Sequence, residues 1–109
     1  MTVPSEHLLV LAACLFSIGV AGFLMRKNLI IVLMSIELIL NAANLSFLAA
    51  TRSHALSNFG GRTEIEGPLF ALFVIVVAAV EAAVGLALVI ALYRKKQTVV
   101  IDDVSDLKY

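Results

Sequence analysis

The chain has 109 residues, 61% of them hydrophobic, with a mean hydropathy of +1.04 and only sixteen charged side chains, eight of each sign. This balance excludes an ordinary soluble domain: long stretches hold one charge or none, as expected where most of each segment sits in hydrocarbon. The zero net charge says nothing of partners, but the sequence offers no basic aromatic surface for nucleic acid, no Gly-rich phosphate loop and no nucleophile motif.

The first apolar stretch, residues 8–25, meets or nearly meets the ~20 residues a helix needs to cross ~30 Å of hydrocarbon. It is expected to stay in the mature chain, because the segment before it lacks a positive n-region and the apolar run continues too far for a signal peptide. Its lone cysteine, Cys14, allows no intrachain disulfide and no Cys-based metal site, and is expected to be a small buried hydrophobe. Ala13, Ser17 and Ala21 recur every four residues, a stripe that permits close helix approach within the unit or against another subunit.

Arg26 and Lys27 follow directly, and the spans on either side of them are together too long for one crossing. The chain must reverse there, making the first two helices antiparallel neighbours. The basic pair reads as a cytoplasmic anchor of a tight turn, with an ion pair to a partner as the alternative.

The second span, residues 28–51, contains SIELILNAAN, which places Glu37, Asn41 and Asn44 at i, i+4 and i+7 on one helical face. The connection RSHALSNFGGRTEIE, residues 52–66, is polar, contains Gly60 and Gly61, and reads as a surface loop. The third span, residues 68–93, opens on Pro68, which suits a first helical turn, and carries Glu81 in AAVEAAVG together with a second small stripe of Ala83, Ala87 and Ala91. His7 and His54 lie at or beyond helix ends and read as solvated side chains, without a metal role. The tail, residues 94–109, starts basic and turns acidic; with nothing to bury, it is expected to lie along a partner or the membrane surface.

These elements make an all-α membrane protein of three transmembrane helices in a single unit. The Arg26-Lys27 turn and the tail share a side carrying six Lys and Arg (Arg26, Lys27, Arg94, Lys95, Lys96, Lys108), against Arg52 and Arg62 on the other. The excess predicts a cytoplasmic C-terminus and an N-terminus on the opposite, outer side. Three helices without a soluble domain can hardly enclose a pore or a cofactor, and no His or Cys set is available to ligate metal, haem or an iron-sulfur cluster. A role inside a larger assembly follows.

Glu37 and Glu81 are the only two of eight acidic residues inside the spans. Glu37 lies ~14 Å from the start of its span and Glu81 ~18 Å from the end of its own, on the same side, so both fall near the midplane. A charge at that depth costs about 2.5 to 3.5 kcal/mol on the insertion scale. Desolvation disfavours an ionised carboxylate and brings such a group towards proton exchange near neutral pH, as a proton relay requires. Asn41 and Asn44 cannot titrate but can hold water or orient a carboxylate. The structural alternative is that each glutamate pairs statically with a Lys or Arg of another subunit, and that the two amides only hydrogen-bond between helices. A small exporter working alone is disfavoured, since the spans contain no Trp and only Tyr93, at an end.

The segments RKNLIIVLMSIELILNAANL, AAVEAAVGLALVIALYR and IDDVSDLK together resemble the K subunit family of bacterial-type NADH:quinone oxidoreductase, respiratory complex I, over nearly the whole chain. The resemblance implies a three-helix membrane-arm subunit in the bacterial inner membrane, packed against other membrane-arm subunits. It also implies that Glu37 and Glu81 belong to a hydrophilic axis coupling quinone reduction to proton pumping. NADH, FMN, iron-sulfur clusters and quinone would bind to other subunits and none to this one. The C subunit of Mrp-type Na+/H+ antiporters is similar in its second helix, and Glu81 with the IDDVSDLK ending separates the two in favour of the oxidoreductase.

Overall fold

Within hydrocarbon a backbone must satisfy its own N–H and C=O groups, and an apolar stretch of these lengths does so as helix. The computed structural model describes residues 3–56, 65–97 and 99–104. It consists of α1 (Ser5–Met25), α2 (Leu29–Leu56), α3 (Glu66–Lys96) and the single turn α4 (Ile101–Val104). The first three are long and apolar enough to cross a membrane. Among the described residues there is no strand, only an isolated antiparallel bridge between Asn28 and Val100.

The helix ends depart from the expected ones for local reasons. Asn28, expected as the first residue of the second helix, sits just outside it and caps it: its Oδ1 accepts the Ile30 N–H at 2.9 Å. α2 then runs on to Leu56, so Arg52 and Ser53, expected in a loop, are helical; the sequence has no Gly or Pro there before Gly60 to interrupt the ladder. α3 begins at Glu66, with Pro68 in the first turn, where a missing N–H removes no intrahelical bond. At its far end α3 continues through Arg94, Lys95 and Lys96, whose charges complement the helix dipole, and stops where Gln97 turns left-handed at φ 55° and donates its N–H to the Tyr93 carbonyl. Residues 57–64, the rest of the expected loop with Arg62, and residues 105–109, with Lys108, lie outside the described residues.

α2 is the central helix: α1 packs along it on one side and α3 on another, with at most marginal contact between α1 and α3. Small residues make the contacts. A Cβ on Gly19 would stand 2.7 Å from Ile39 Cγ1 and 2.9 Å from the Ser35 carbonyl, and one on Gly85 would stand 2.5 Å from Leu33 Cδ2. Ala12, Ala42, Ala49, Ala71 and Val89 supply the buried apolar positions, and among the described residues no large side chain is fully buried. This is packing by van der Waals fit, as helices require in a solvent as apolar as themselves. Ser35, Ser46 and Thr51 donate to the carbonyls of Ile31, Ala42 and Phe47, four residues back, so these hydroxyls need no partner elsewhere. Phe47 and Phe70 stack with centroids 5.8 Å apart.

Only 11%, 17% and 6% of the most apolar windows of α1, α2 and α3 are buried within the chain, so nearly all the lateral surface is turned outward. Cys14 is accordingly exposed, contrary to expectation, because α1 has a single neighbour and most of its circumference faces away. Both small-residue stripes also face outward: Ala13, Ser17 and Ala21 on α1 and Ala83, Ala87 and Ala91 on α3 are exposed. The contacts inside the chain are made by other small residues.

The described part of the tail makes specific contacts within the chain. Leu29 N–H donates to the Val99 carbonyl and Ile101 N–H to the Lys27 carbonyl, both at 2.9 Å, so the tail folds back onto the α1–α2 turn. At the opposite end the Arg52 guanidinium donates to the Val3 carbonyl. The two ends of the bundle are thus distinct, with the basic turn and the tail together at one of them.

Candidate functional site: a carboxylate cleft between two helices

α2 and α3 diverge enough to leave a cleft of about 180 Å³, lined by Ile30, Leu33, Met34, Ile36, Glu37 and Leu40 from α2 and by Ala78, Glu81, Ala82 and Leu86 from α3. Glu37 and Glu81 are the only ionisable side chains among the described residues that line it; the rest of that lining is apolar. Glu81 lies at the centre of the 31-residue α3, about 22 Å from either end, and Glu37 lies about 12 Å into α2. Two helices therefore bring their intramembrane acids to one cavity, open on its outer side: Glu37 is exposed and Glu81 half-buried within this chain.

Gly85, one turn from Glu81 on the same face, lets α3 approach Leu33, a residue of the cleft wall. Larger residues there would wedge α3 away from α2. The local sequence AAVEAAVG leaves only small side chains and valine around Glu81, which is why the cavity has room for a few water molecules at about 30 Å³ each.

The polar stripe expected on α2 divides. Glu37 faces the cleft; Asn41 is exposed and does not line it; Asn44 is buried, 8% exposed, and its Oδ1 has no hydrogen-bond donor among the described residues. Asn41 and Asn44 stand about 60° apart around the helix, which suffices to put one outside and the other inside. Arg26 is exposed. Lys27 is paired, within this chain: Nζ lies 2.5 Å from Asp102 Oδ2. The hydrogen bond to that carboxylate, together with its charge, holds the Lys27 ammonium above the usual lysine range, against the opposing effect of desolvation. His7 is exposed, and the His54 side chain lies outside the described residues. Among the described residues no group of three or more His, Cys, Asp or Glu is placed to hold a metal ion.

Sequence reasoning missed Asp102 and Asn28. An Asn directly before an apolar helical run is a recognisable cap signal. The Lys27–Asp102 pair, by contrast, joins residues 75 positions apart and had no local signature.

Comparison with known proteins matches residues 7–109 to the family model described as NADH-ubiquinone/plastoquinone oxidoreductase chain 4L. The chain belongs to that family. It is 50% identical over 106 residues to the NADH-quinone oxidoreductase subunit K 1 of Solibacter usitatus, covering 97% of this chain and 95% of that protein. Subunit K of Acidobacterium capsulatum is also 50% identical, over 97% of this chain and 98% of its own length. That of Sorangium cellulosum is 49% identical over 99% and 98%. Full-length likeness to this family agrees with the expected resemblance and does not favour the antiporter alternative.

Proposed function

We propose that this chain is a membrane-arm subunit of a proton-pumping NADH:quinone oxidoreductase, and that Glu37 and Glu81 carry protons within it. The observation that carries this reading is the shared cleft: α2 and α3 each contribute one acid from within an apolar span, and both acids line a single, otherwise apolar cavity. Its relatives' printed names supply the reaction, NADH oxidation coupled to quinone reduction.

The chemistry assigned to this chain is proton transfer alone. A carboxyl group gives a proton to water on one side and regains one on the other, and a few waters in the cleft link Glu37 to Glu81. Where the two groups interact strongly, the protons belong to the pair rather than to either residue. A membrane potential of 100 mV contributes ~2.3 kcal/mol per charge moved across the full thickness, so a site about halfway in feels about half of that. Changes arriving from the quinone-reducing part of the complex then bias which acid holds the proton. Asn41, on the exposed face, and Asn44, whose Oδ1 has no donor among the described residues, position water or a neighbouring helix.

NADH, FMN, iron-sulfur clusters and quinone are assigned to other subunits, so this chain has no redox centre of its own. Arg26 and Lys27 mark the cytoplasmic side of a bacterial inner membrane, with the N-terminus in the periplasm. Other membrane-arm subunits cover much of the outward-facing surface, including the small-residue stripes.

The deciding experiment uses membranes from cells carrying Glu37→Gln, with assembly of the complex checked in parallel. Lost or uncoupled NADH-driven proton uptake in an assembled complex is the expected result; normal coupled uptake would reduce Glu37 to a structural acid. Glu81→Gln is expected to behave alike, and an unchanged ratio of protons to NADH would remove Glu81 from the relay.

A further inference from the structure

The tail meets the α1–α2 turn through contacts that the proton-transfer reading does not use. Leu29 N–H to Val99 carbonyl and Ile101 N–H to Lys27 carbonyl flank the Asn28–Val100 bridge, and Lys27 Nζ meets Asp102 Oδ2 just beyond it. The Leu29 amide is one of the four at the start of α2 that have no intrahelical acceptor; the tail satisfies it, and Asn28 Oδ1 satisfies the next. The contact therefore answers a real deficit of α2.

Its place in the fold gives it a second consequence. Ile30, the residue after Leu29, is the first on α2 to line the carboxylate cleft, and on α3 the lining runs from Ala78 to Leu86. The chain leaves α3 at Lys96, turns at Gln97 and rejoins the first residue of α2. It thus links the α3 wall of the cleft to the α2 wall at one end. The Lys27 and Asp102 side chains are 69% and 63% exposed, so the ion pair alone holds little. The two backbone bonds fix the register, and the ion pair selects it.

We propose that the Lys27–Asp102 pair and the Asn28–Val100 bridge form a positioning clasp, which sets the separation of α2 and α3 at that end of the cleft and through it the placing of Glu37 and Glu81. The clasp rests on the reading that the two glutamates transfer protons. It is closed in the working state.

The test uses the assembled complex in its own membranes. Asn28 and Val100 form the non-hydrogen-bonded kind of antiparallel pair, with Cα atoms about 4.5 Å apart, which is within reach of a disulfide. In a Cys14→Ser background, Asn28→Cys with Val100→Cys is oxidised and the remaining free thiols are counted by maleimide labelling. The thiols are expected to disappear, with proton uptake per NADH the same before and after oxidation. Asp102→Lys is expected to lower proton uptake per NADH, Lys27→Asp combined with Asp102→Lys to restore it, and Lys27→Arg to leave it unchanged. If Asp102→Lys prevents assembly, Asp102→Asn replaces it as the milder break. Persistent free thiols, turnover that stops on oxidation, or an unchanged ratio in an assembled charge-broken variant would each overturn the clasp. Glu37→Gln run in parallel separates the two ideas: coupled pumping there defeats the glutamate reading, while the thiol count still reports whether the tail is held.

Discussion

Gly85 lies one turn from Glu81, and a methyl added there would come within 2.5 Å of Leu33 Cδ2, the far end of a flexible side chain. Gly19 faces a harder obstacle, the Ser35 backbone carbonyl at 2.9 Å as well as Ile39. Gly19→Ala should therefore destabilise the chain by about 1–3 kcal/mol and Gly85→Ala by less, because a leucine tip can rotate and a helical carbonyl cannot. Denaturant unfolding of the purified chain in bicelles checks that order. Asn44 adds a different prediction. Its Oδ1 is buried without a donor among the described residues, and such a group costs about 1–3 kcal/mol. Asn44→Leu should thus stabilise the isolated chain by about 1 kcal/mol while lowering coupled activity of the complex, where water or a neighbouring helix supplies the donor. A loss of stability in the isolated chain would show that the oxygen already has one.

At the scale of elements, the helices were legible wherever local chemistry decides them, and their ends were not. Apolar length located all three spans, but α2 outran the expected end at residue 51 because backbone hydrogen bonding propagates until something stops it, and Arg52 and Ser53 stop nothing. The tail's contact with the turn was not legible for another reason: its partners, the Leu29 amide and the Lys27 side chain, lie some seventy residues away in the chain. Since Asp102 holds Lys27 above its ordinary value of 10.5, the ion pair's contribution to holding the tail is fully present at neutral pH and up to that value. It is lost as pH rises through the higher value of the folded state. Spin labels on Met25 and Ile101, both exposed, should report a constant short distance from pH 7 to 10 and only a modest broadening above it, because the two backbone bonds remain.

For the whole molecule, the decisive quantity is how little the chain buries. A core of alanines, a valine and glycine contacts, with no large side chain enclosed among the described residues, leaves the rest of a very apolar surface for lipid and neighbouring subunits. Ala87, in the outward stripe of α3, should accept leucine without harm to the chain's own packing, whereas Ala87→Leu should reduce the amount of complex recovered from membranes, as seen on native gels. Unchanged recovery would mean that this stripe faces lipid. Composition and spacing by themselves determined the membrane class and the three helices and singled out the two acids inside the spans, because insertion into hydrocarbon depends on local sequence alone. Only the tertiary structure decided that Glu37 and Glu81 share one cleft, that Asn41 and Asn44 part company, that the small stripes look outward, and that the tail closes on α2. Each of these depends on the rotation of one helix against another, which is set by contacts between residues far apart in the chain, such as Gly85 with Leu33, and no periodicity within a single helix encodes it.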